Sequence, residues 1–307
     1  MTTALFTHDD CLDHQTPAGH PEQVARLRRI LGALEGRDLM RHEAPSGTEE
    51  DLRLCHPQAH IDRVRGALPE EGIVQLDADT WMSPGSLQAA LRGVGGALAA
   101  VDAVLGGQAG NAFVATRPPG HHAETERTMG FCLFGTVAIA ARHAMERHGL
   151  GRVAVVDFDV HHGNGTQDLL WSEARSLFVS SHQSPLWPGT GTPDETGAHG
   201  NVLNLPLAPR CDGAAFRAAY EDRVFPAIDA FAPELILISA GFDAHRDDPL
   251  AELNLTEADF EWVTGRLCDL ADAHCGGRVV SCLEGGYDLA ALASSVAAHV
   301  DVLIARG

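Results

Sequence analysis

Two aspartates and two histidines fall within six positions at the start of DFDVHHGNGTQD, residues 157–168, directly behind the apolar run GRVAVV. In an extended segment alternate side chains share a face, so Asp157, Asp159 and His161 point the same way. Carboxylate oxygens and an imidazole nitrogen suit zinc, and two carboxylates with one imidazole leave room for water and a substrate oxygen, as a hydrolytic metal centre requires. Asp243, closing the apolar run ELILISAGFD, is the remote ligand that a neighbouring parallel strand would deliver to the same place. Alone, a D-x-D-x-H stretch is equally open to aspartates that cap helices or bind turn amides. His245, Asp247 and Asp248 follow Asp243 into a loop and read as rim or turn residues.

RPPGHHAE adds His121 and His122 after a rigid double proline and a permissive glycine. Imidazole titrates near neutrality, which suits general acid/base chemistry. A water attacking an amide carbonyl at a metal needs a proton acceptor, then a donor for the leaving amine, and a group to hold the developing oxyanion. His122 can serve the first two needs. Tyr287 in LEGGYDLA is one of two tyrosines, the other being Tyr220, and follows paired glycines. Its phenol can donate to a substrate carbonyl without adding charge. A tyrosine tied into a turn explains that segment equally well. Asp157 reads as a support whose carboxylate accepts a proton from a neighbouring imidazole.

Bringing these groups together requires strands that end side by side. Short apolar runs near residues 72–79, 111–118, 151–159, 176–182, 234–243 and 278–286 have the length of buried strands. Helical periodicity predicts helices over 86–105, 134–148, 214–231, 257–273 and 289–304. The alternation predicts a single domain over residues 1–307, a three-layer α/β/α architecture with a mostly parallel sheet. PGHHAE, DFDVHHG, SHQ, GFDAH and EGGYD each follow a predicted strand, so the polar groups gather where open α/β sheets place their crevices. The Pro- and Gly-rich stretch 183–210 is expected to form long surface loops.

The net charge of -20 disfavours nucleic acid and anionic membranes as partners. The segment AALRGVGGALAAVDAVL, interrupted by Arg92 and Asp102, reads as too polar to span a bilayer. The N-terminal residues lack a signal-peptide pattern, and the seven cysteines are scattered with no C-x-x-C pair; both features predict a reduced, cytoplasmic protein.

The ordered set GHPEQVARL, LDADTWMSPGS, RPPGHHAE, MGFCLF, VVDFDVHHGNGTQD, SAGFDAHRDDPL and LEGGYD resembles the zinc-dependent histone deacetylase family, within the arginase/deacetylase fold group. The likeness covers nearly the whole chain and is greatest to bacterial class II-like members, relatives of acetylpolyamine amidohydrolases. It implies a zinc-dependent deacetylase that removes an acetyl or other short acyl group from an amine. The expected substrate is Nε-acetyl-lysine in proteins or peptides, with acetylpolyamines or other small acylamines as the alternative. By resemblance, Asp159, His161 and Asp243 match the zinc ligands, His122 the general base and acid, His121 its electrostatic partner and Tyr287 the carbonyl-polarising group. Asp157 would orient His121, and Asn164 would partner His122 where class I-like members carry aspartate; an amide there leaves imidazole less basic. His162 is expected to pack behind the site.

The resemblance further makes Phe131 and Trp187 the walls of a narrow acyl channel, gives the Gly130 carbonyl to the substrate amide, and places Gly286 beside Tyr287 in the tunnel. A structural potassium or sodium ion would be held by Asp157, Asp159, His161, Ser180 and Ser181, largely through carbonyls. Two departures matter. Gly135 and Thr136 stand where relatives carry Asn-Asn, which predicts a lost hydrogen bond, and Leu250 stands where polyamine-specific relatives place a glutamate, which weakens the acetylpolyamine reading. Asp9, Asp10, Asp79 and Glu124 could still attract a cation. A homo-oligomer could complete the rim. The competing functions are arginase-like chemistry at two manganese ions, which needs further bridging Asp/His ligands, and a non-catalytic module stabilised by its metal.

Overall fold

The computed structural model describes residues 2–307. The described residues form ten strands interspersed with helices: β1 Thr3–Thr7, β2 Met40–Glu43, β3 Val74–Gln75, β4 Trp81–Met82, β5 Asn111–Val114, β6 Val153–Asp157, β7 Ser176–Gln183, β8 Val202–Leu207, β9 Leu235–Ala240 and β10 Val279–Leu283. Eight of them form one sheet in the order β2-β1-β5-β10-β9-β6-β7-β8. Every neighbouring pair in it is parallel. The pleat sends successive side chains to opposite faces. Ala154 and Val156 of β6 thus pack with Leu27, Val263, Val296 and Val300, from the helices Val24–Ala33, Glu257–Cys275 and Leu289–Arg306. Val153 and Val155 pack instead with Val94, Val101, Val137 and Ala141, from the helices Ser86–Leu105 and Thr136–Arg147. The three-layer expectation holds, with the sheet buried on both faces.

Three sheet strands carry no apolar signature of the expected kind. β1 is a five-residue strand near the N-terminus, and β2, MRHE, is an edge strand whose residues alternate between half-buried and exposed. β8 arises within the segment expected to be loop, because pairing with β7 satisfies its backbone where composition suggested none. The 72–79 run is the converse case. Only Val74 and Gln75 are strand, paired antiparallel with Trp81 and Met82 in a hairpin outside the main sheet. The predicted helix over 214–231 is split into Gly213–Ala219, a π-helical turn Tyr220–Val224, and Phe225–Phe231. Pro226 lacks an N–H to donate to the preceding turn, which accounts for the wider winding there.

Ser86–Leu105 and Leu289–Arg306 are long and apolar enough to cross a membrane by length and composition alone, a test that a core helix also passes, and 67 % of the apolar window of the first is buried within the fold. Its polar interruptions have partners: Arg92 Nε donates to Asp10 Oδ2 at 2.7 Å, while Asp102 meets two histidines.

Candidate active site

At the carboxyl edge of β6 a series of carboxylates organises the chain. Asp157 Oδ1 accepts the Asp159 N–H at 3.0 Å, and Asp159 Oδ1 accepts the His161 N–H at 3.0 Å. Two further bonds tie in the neighbouring strand ends: Asp243 Oδ1, after β9, accepts from Val160 N at 2.8 Å, and Asp159 Oδ2 accepts from Gly285 N, after β10, at 2.8 Å. These bonds hold Asp159 and Asp243 beside the His161 ring, whose Nδ1 lies 3.2 Å from Asp159 Oδ1 and 3.1 Å from Asp243 Oδ2. All three residues are buried, and one donor atom from each lies within 4.8 Å of the others. A Cβ on Gly241 or Gly285 would run into these carboxylates, so glycine is required at both close approaches.

The charge balance of this trio calls for a cation. Burial opposes a proton on His161, but hydrogen bonds to Asp159 and Asp243, together with their charge, push the imidazole up to about 10. Burial and the charge of Asp159 push Asp243 up to about 7. Two carboxylates and an imidazole that retains its proton only because of them form a donor set that a divalent ion fits.

His121 and His122 follow β5 with ring centroids 3.9 Å apart. His121 Nδ1 donates to Asp157 Oδ2 at 2.9 Å. Burial disfavours its charge, but the carboxylates of Asp159 and Asp157 outweigh that and raise it well above the usual imidazole range. His122 is shifted the opposite way. Burial, then the charges of His121 and His161, lower it well below the ordinary value. Its Nδ1 donates to Asn164 Oδ1 at 2.8 Å, while Asn164 Nδ2 donates to Glu124 Oε1 at 2.7 Å. That network leaves His122 Nε2 as the acceptor.

These groups reach a pocket of about 200 Å³ lined by Asp79, His122, Gly130, Phe131, His161, Leu186, Trp187, Leu250 and Tyr287. Gly130 and Phe131 both have left-handed backbone, at φ 56° and 69°, and a Cβ on Gly130 would strike the His122 ring. Phe131 stands edge-on to Tyr287 at 5.9 Å between centroids, and Trp187, 42 % exposed, caps His122 edge-on at 4.7 Å. Burial raises the Tyr287 phenol well above its usual range, so it stays protonated. Gly286 is not among the pocket-lining residues; its carbonyl accepts from Arg26 Nε at 2.6 Å.

Ser180 is in register with Asp157, and the Ser181 hydroxyl lies 3.5 Å from the Asp157 carbonyl. His162 packs behind the site, its Nδ1 2.8 Å from Thr190 Oγ1 and its Nε2 3.0 Å from Gln167 Oε1. At the Gly135 departure the backbone N–H donates to His56 Nε2 at 2.9 Å, so another residue makes a bond there.

Three buried groups escaped the sequence reading. Glu284 Oε2 accepts from Gly120 N and His121 N at 2.7 and 3.1 Å, fixing the turn that carries the histidine pair. Arg26 lies with Cζ 4.9 Å above the Tyr287 ring and donates to the Glu284 carbonyl at 2.6 Å. Asp248 was read as rim, yet it is buried: Oδ2 accepts from Tyr287 N at 2.7 Å and Oδ1 from Leu250 N at 3.0 Å. The E of LEGG, the R of GHPEQVAR and the DD of RDDPL were their signals, but an isolated charge in sequence does not announce its burial.

A parallel sheet whose strand ends hold two carboxylates, a histidine pair and a tyrosine around an apolar pocket defines an α/β protein of the deacetylase type. Comparison with known proteins agrees. The histone deacetylase domain family matches residues 20–303. The chain is 41 % identical over 310 residues to the histone deacetylase-like amidohydrolase of Pseudomonas aeruginosa, covering 93 % of this chain and 81 % of that one. It is 38 % identical over 316 residues to the chloroplastic histone deacetylase 10 of Oryza sativa, covering 95 % and 71 %. The crystal structure of the HDA15 HD domain superposes with a TM-score of 0.92 at 33 % identity, covering 99 % of this chain and 88 % of that one. The chain therefore belongs to the histone deacetylase family of deacetylases and amidohydrolases.

Proposed function

We propose that the protein is a zinc-dependent deacetylase whose preferred substrate is an Nε-acylated lysine side chain in a peptide or protein. The observation that carries this is the convergence of His122, His161 and Tyr287 on one narrow pocket with apolar walls. Asp159, His161 and Asp243 would hold the zinc ion, which when bound polarises the amide carbonyl and acidifies water. Phe131, Trp187, Leu186 and Leu250 line the pocket with apolar surface that would enclose an unbranched aliphatic stem. Leu250 supplies no carboxylate for the second ammonium of a polyamine, and Asp79, the carboxylate that does line the pocket, has Oδ1 engaged by the Gly130 N–H at 3.0 Å, which favours the lysine substrate.

His122 carries the proton traffic. With its Nδ1 proton held by Asn164, Nε2 accepts the proton of the attacking water. Held below its usual range by burial and by charged His121, the resulting imidazolium readily passes that proton to the leaving amine. Asp157 keeps His121 oriented through its 2.9 Å bond. The Tyr287 phenol donates to the carbonyl oxygen as negative charge develops there, and the Gly130 carbonyl accepts the substrate amide N–H. A structural potassium or sodium ion would sit at the Asp157, Asp159, His161, Ser180 and Ser181 segment. A cytoplasmic location is proposed from the reduced cysteine pattern alone.

All 22 basic residues are arginine, so the protein offers no lysine side chain of its own as a substrate. Any acetate released from an acetyl-lysine peptide is then attributable to the peptide. Turnover of acetyl-lysine peptides, acetylspermidine and short N-acyl amines should be compared by kcat/KM, with the peptides expected to lead. A polyamine turned over faster than every peptide would overturn the substrate reading.

A further inference from the structure

A second metal-type cluster lies away from the pocket. Asp102, in the last turns of the helix Ser86–Leu105, faces His143 and His148 at the end of the helix Thr136–Arg147. His143 Nε2 is 2.7 Å and His148 Nε2 2.6 Å from the same carboxylate oxygen, Asp102 Oδ1. One donor atom from each of the three lies within 4.8 Å of the others, the same convergence found at Asp159, His161 and Asp243. The helix Thr136–Arg147, which carries His143 and is capped by His148, starts beside Gly120, next to the histidine pair, and runs back to the chain that enters β6. The cluster therefore sits at the opposite edge of the sheet from the active site.

We propose that Asp102, His143 and His148 form a second site, for a divalent transition metal, that joins the carboxyl ends of these two helices. Two imidazole nitrogens and a carboxylate oxygen are a recognised donor set for zinc, with water completing a tetrahedron. Both helices direct the negative ends of their dipoles here, and Asp102 adds a further negative charge near one of them, so the local field favours a cation. His143 Nδ1 is buried without a hydrogen-bond partner, and in the absence of a metal the Nε2 proton is held by Asp102 Oδ1 at 2.7 Å. A metal at Nε2 takes the place of that proton, which the neutral ring then carries on the unpartnered Nδ1. Ligands about 2.0–2.1 Å from zinc stand roughly 3.3 Å apart in a tetrahedron, so the donors must open by about 0.6 Å. Half-exposed Asp102 and His148, which lies just beyond its helix, have the freedom to do so. Solvent access at Asp102 also makes the site exchangeable, unlike the fully buried trio at the pocket.

The test compares the holoenzyme with Asp102→Asn and with His148→Gln, neither of which touches the pocket. Zinc is titrated by calorimetry and by metal analysis after gel filtration, and thermal unfolding is followed with and without excess zinc. Wild type should bind two equivalents and the variants one, with deacetylase turnover unchanged. Excess zinc should raise the Tm of wild type by about 5 °C and leave the variants unmoved, as expected for a ligand that binds only the folded chain. Equal stoichiometry in wild type and both variants would overturn the proposal and leave a hydrogen-bonded His–Asp–His cluster. Because the readout is the difference between remote-site variants and wild type, it is separate from whether the pocket uses zinc.

Discussion

Asn164 Oδ1 sits 2.8 Å from His122 Nδ1, while on the adjacent ring the carboxylate of Asp157 sits 2.9 Å from His121 Nδ1. Two adjacent imidazoles, tilted 41° to one another, thus receive different partners, one neutral and one charged. The consequence is a split pair: His121 is raised and keeps its proton, His122 is lowered and gives its proton up. In such a pair the charged ring suppresses the basicity of its neighbour, so the amide partner is part of the tuning.

Asn164→Asp should therefore raise the basicity of His122. The acid limb of the kcat/KM–pH profile reports the base in the free enzyme, and a carboxylate in contact moves an imidazole up by about 1 pH unit or more. The limb should shift to higher pH, because the protonated, inactive form of the base then persists further. Glu124, which contacts the same side chain, keeps its place only if the new carboxylate is solvated, so folding is checked by circular dichroism alongside. An acid limb that stays where it was, in a folded variant, would remove His122 from the role of base.

Tyr287→Phe removes one hydroxyl and leaves the ring against Phe131 and under Arg26. If the phenol donates to the carbonyl oxygen mainly as charge develops, kcat should fall by roughly 10²–10³ with KM little changed. A rise in KM at constant kcat would instead make it a ground-state binding group.

Metal removal separates the deacetylase reading from a metal-independent one. Dialysis against a chelator should abolish turnover and added zinc should restore it, because Asp159, His161 and Asp243 supply only oxygen and imidazole donors for the cation their charges require. His161→Ala should bind one metal equivalent fewer than wild type and show no recovery. Full activity in metal-depleted protein would exclude this assignment.

The convergence of Asp159, His161 and Asp243 and the placing of the histidine pair at the same edge were legible because each residue lies within two to eight residues of a strand whose apolar run is continuous. β6 and β9 are such strands, and Asp159, His161 and Asp243 follow directly from them. β2 and β8 were not legible: as edge strands they need only one buried face and a partner, and MRHE carries no apolar run at all. Glu284, Arg26 and Asp248 were missed for a different reason. Their importance is burial against backbone groups distant in sequence, as when Arg26 reaches Gly286, and no local pattern encodes such a contact.

Acid lability should trace in part to a histidine outside the pocket. His299 is fully buried, with Nδ1 2.7 Å from Thr264 Oγ1 and Nε2 2.8 Å from Ser281 Oγ, and Phe113, Phe158 and Phe242 surround its ring. Burial pushes its pKa down to about 3, whereas in the unfolded chain it titrates near 6.5. Between those values the unfolded state binds the extra proton, so the stability that neutral His299 permits is complete above pH 6.5 and declines as pH falls towards 3. The slope approaches about 1.4 kcal/mol per pH unit for one such group, or about 2 kcal/mol between pH 6.5 and 5. His299→Gln keeps polar atoms near both hydroxyls and cannot titrate. It should lose stability overall, yet the drop in urea-unfolding free energy from pH 7 to pH 5 should shrink by about 2 kcal/mol relative to wild type. His56 and His182, pushed down by burial to about 3 and about 4, keep a residual acid dependence in the variant. An unchanged pH dependence in His299→Gln would mean that His299 takes up its proton without unfolding the chain.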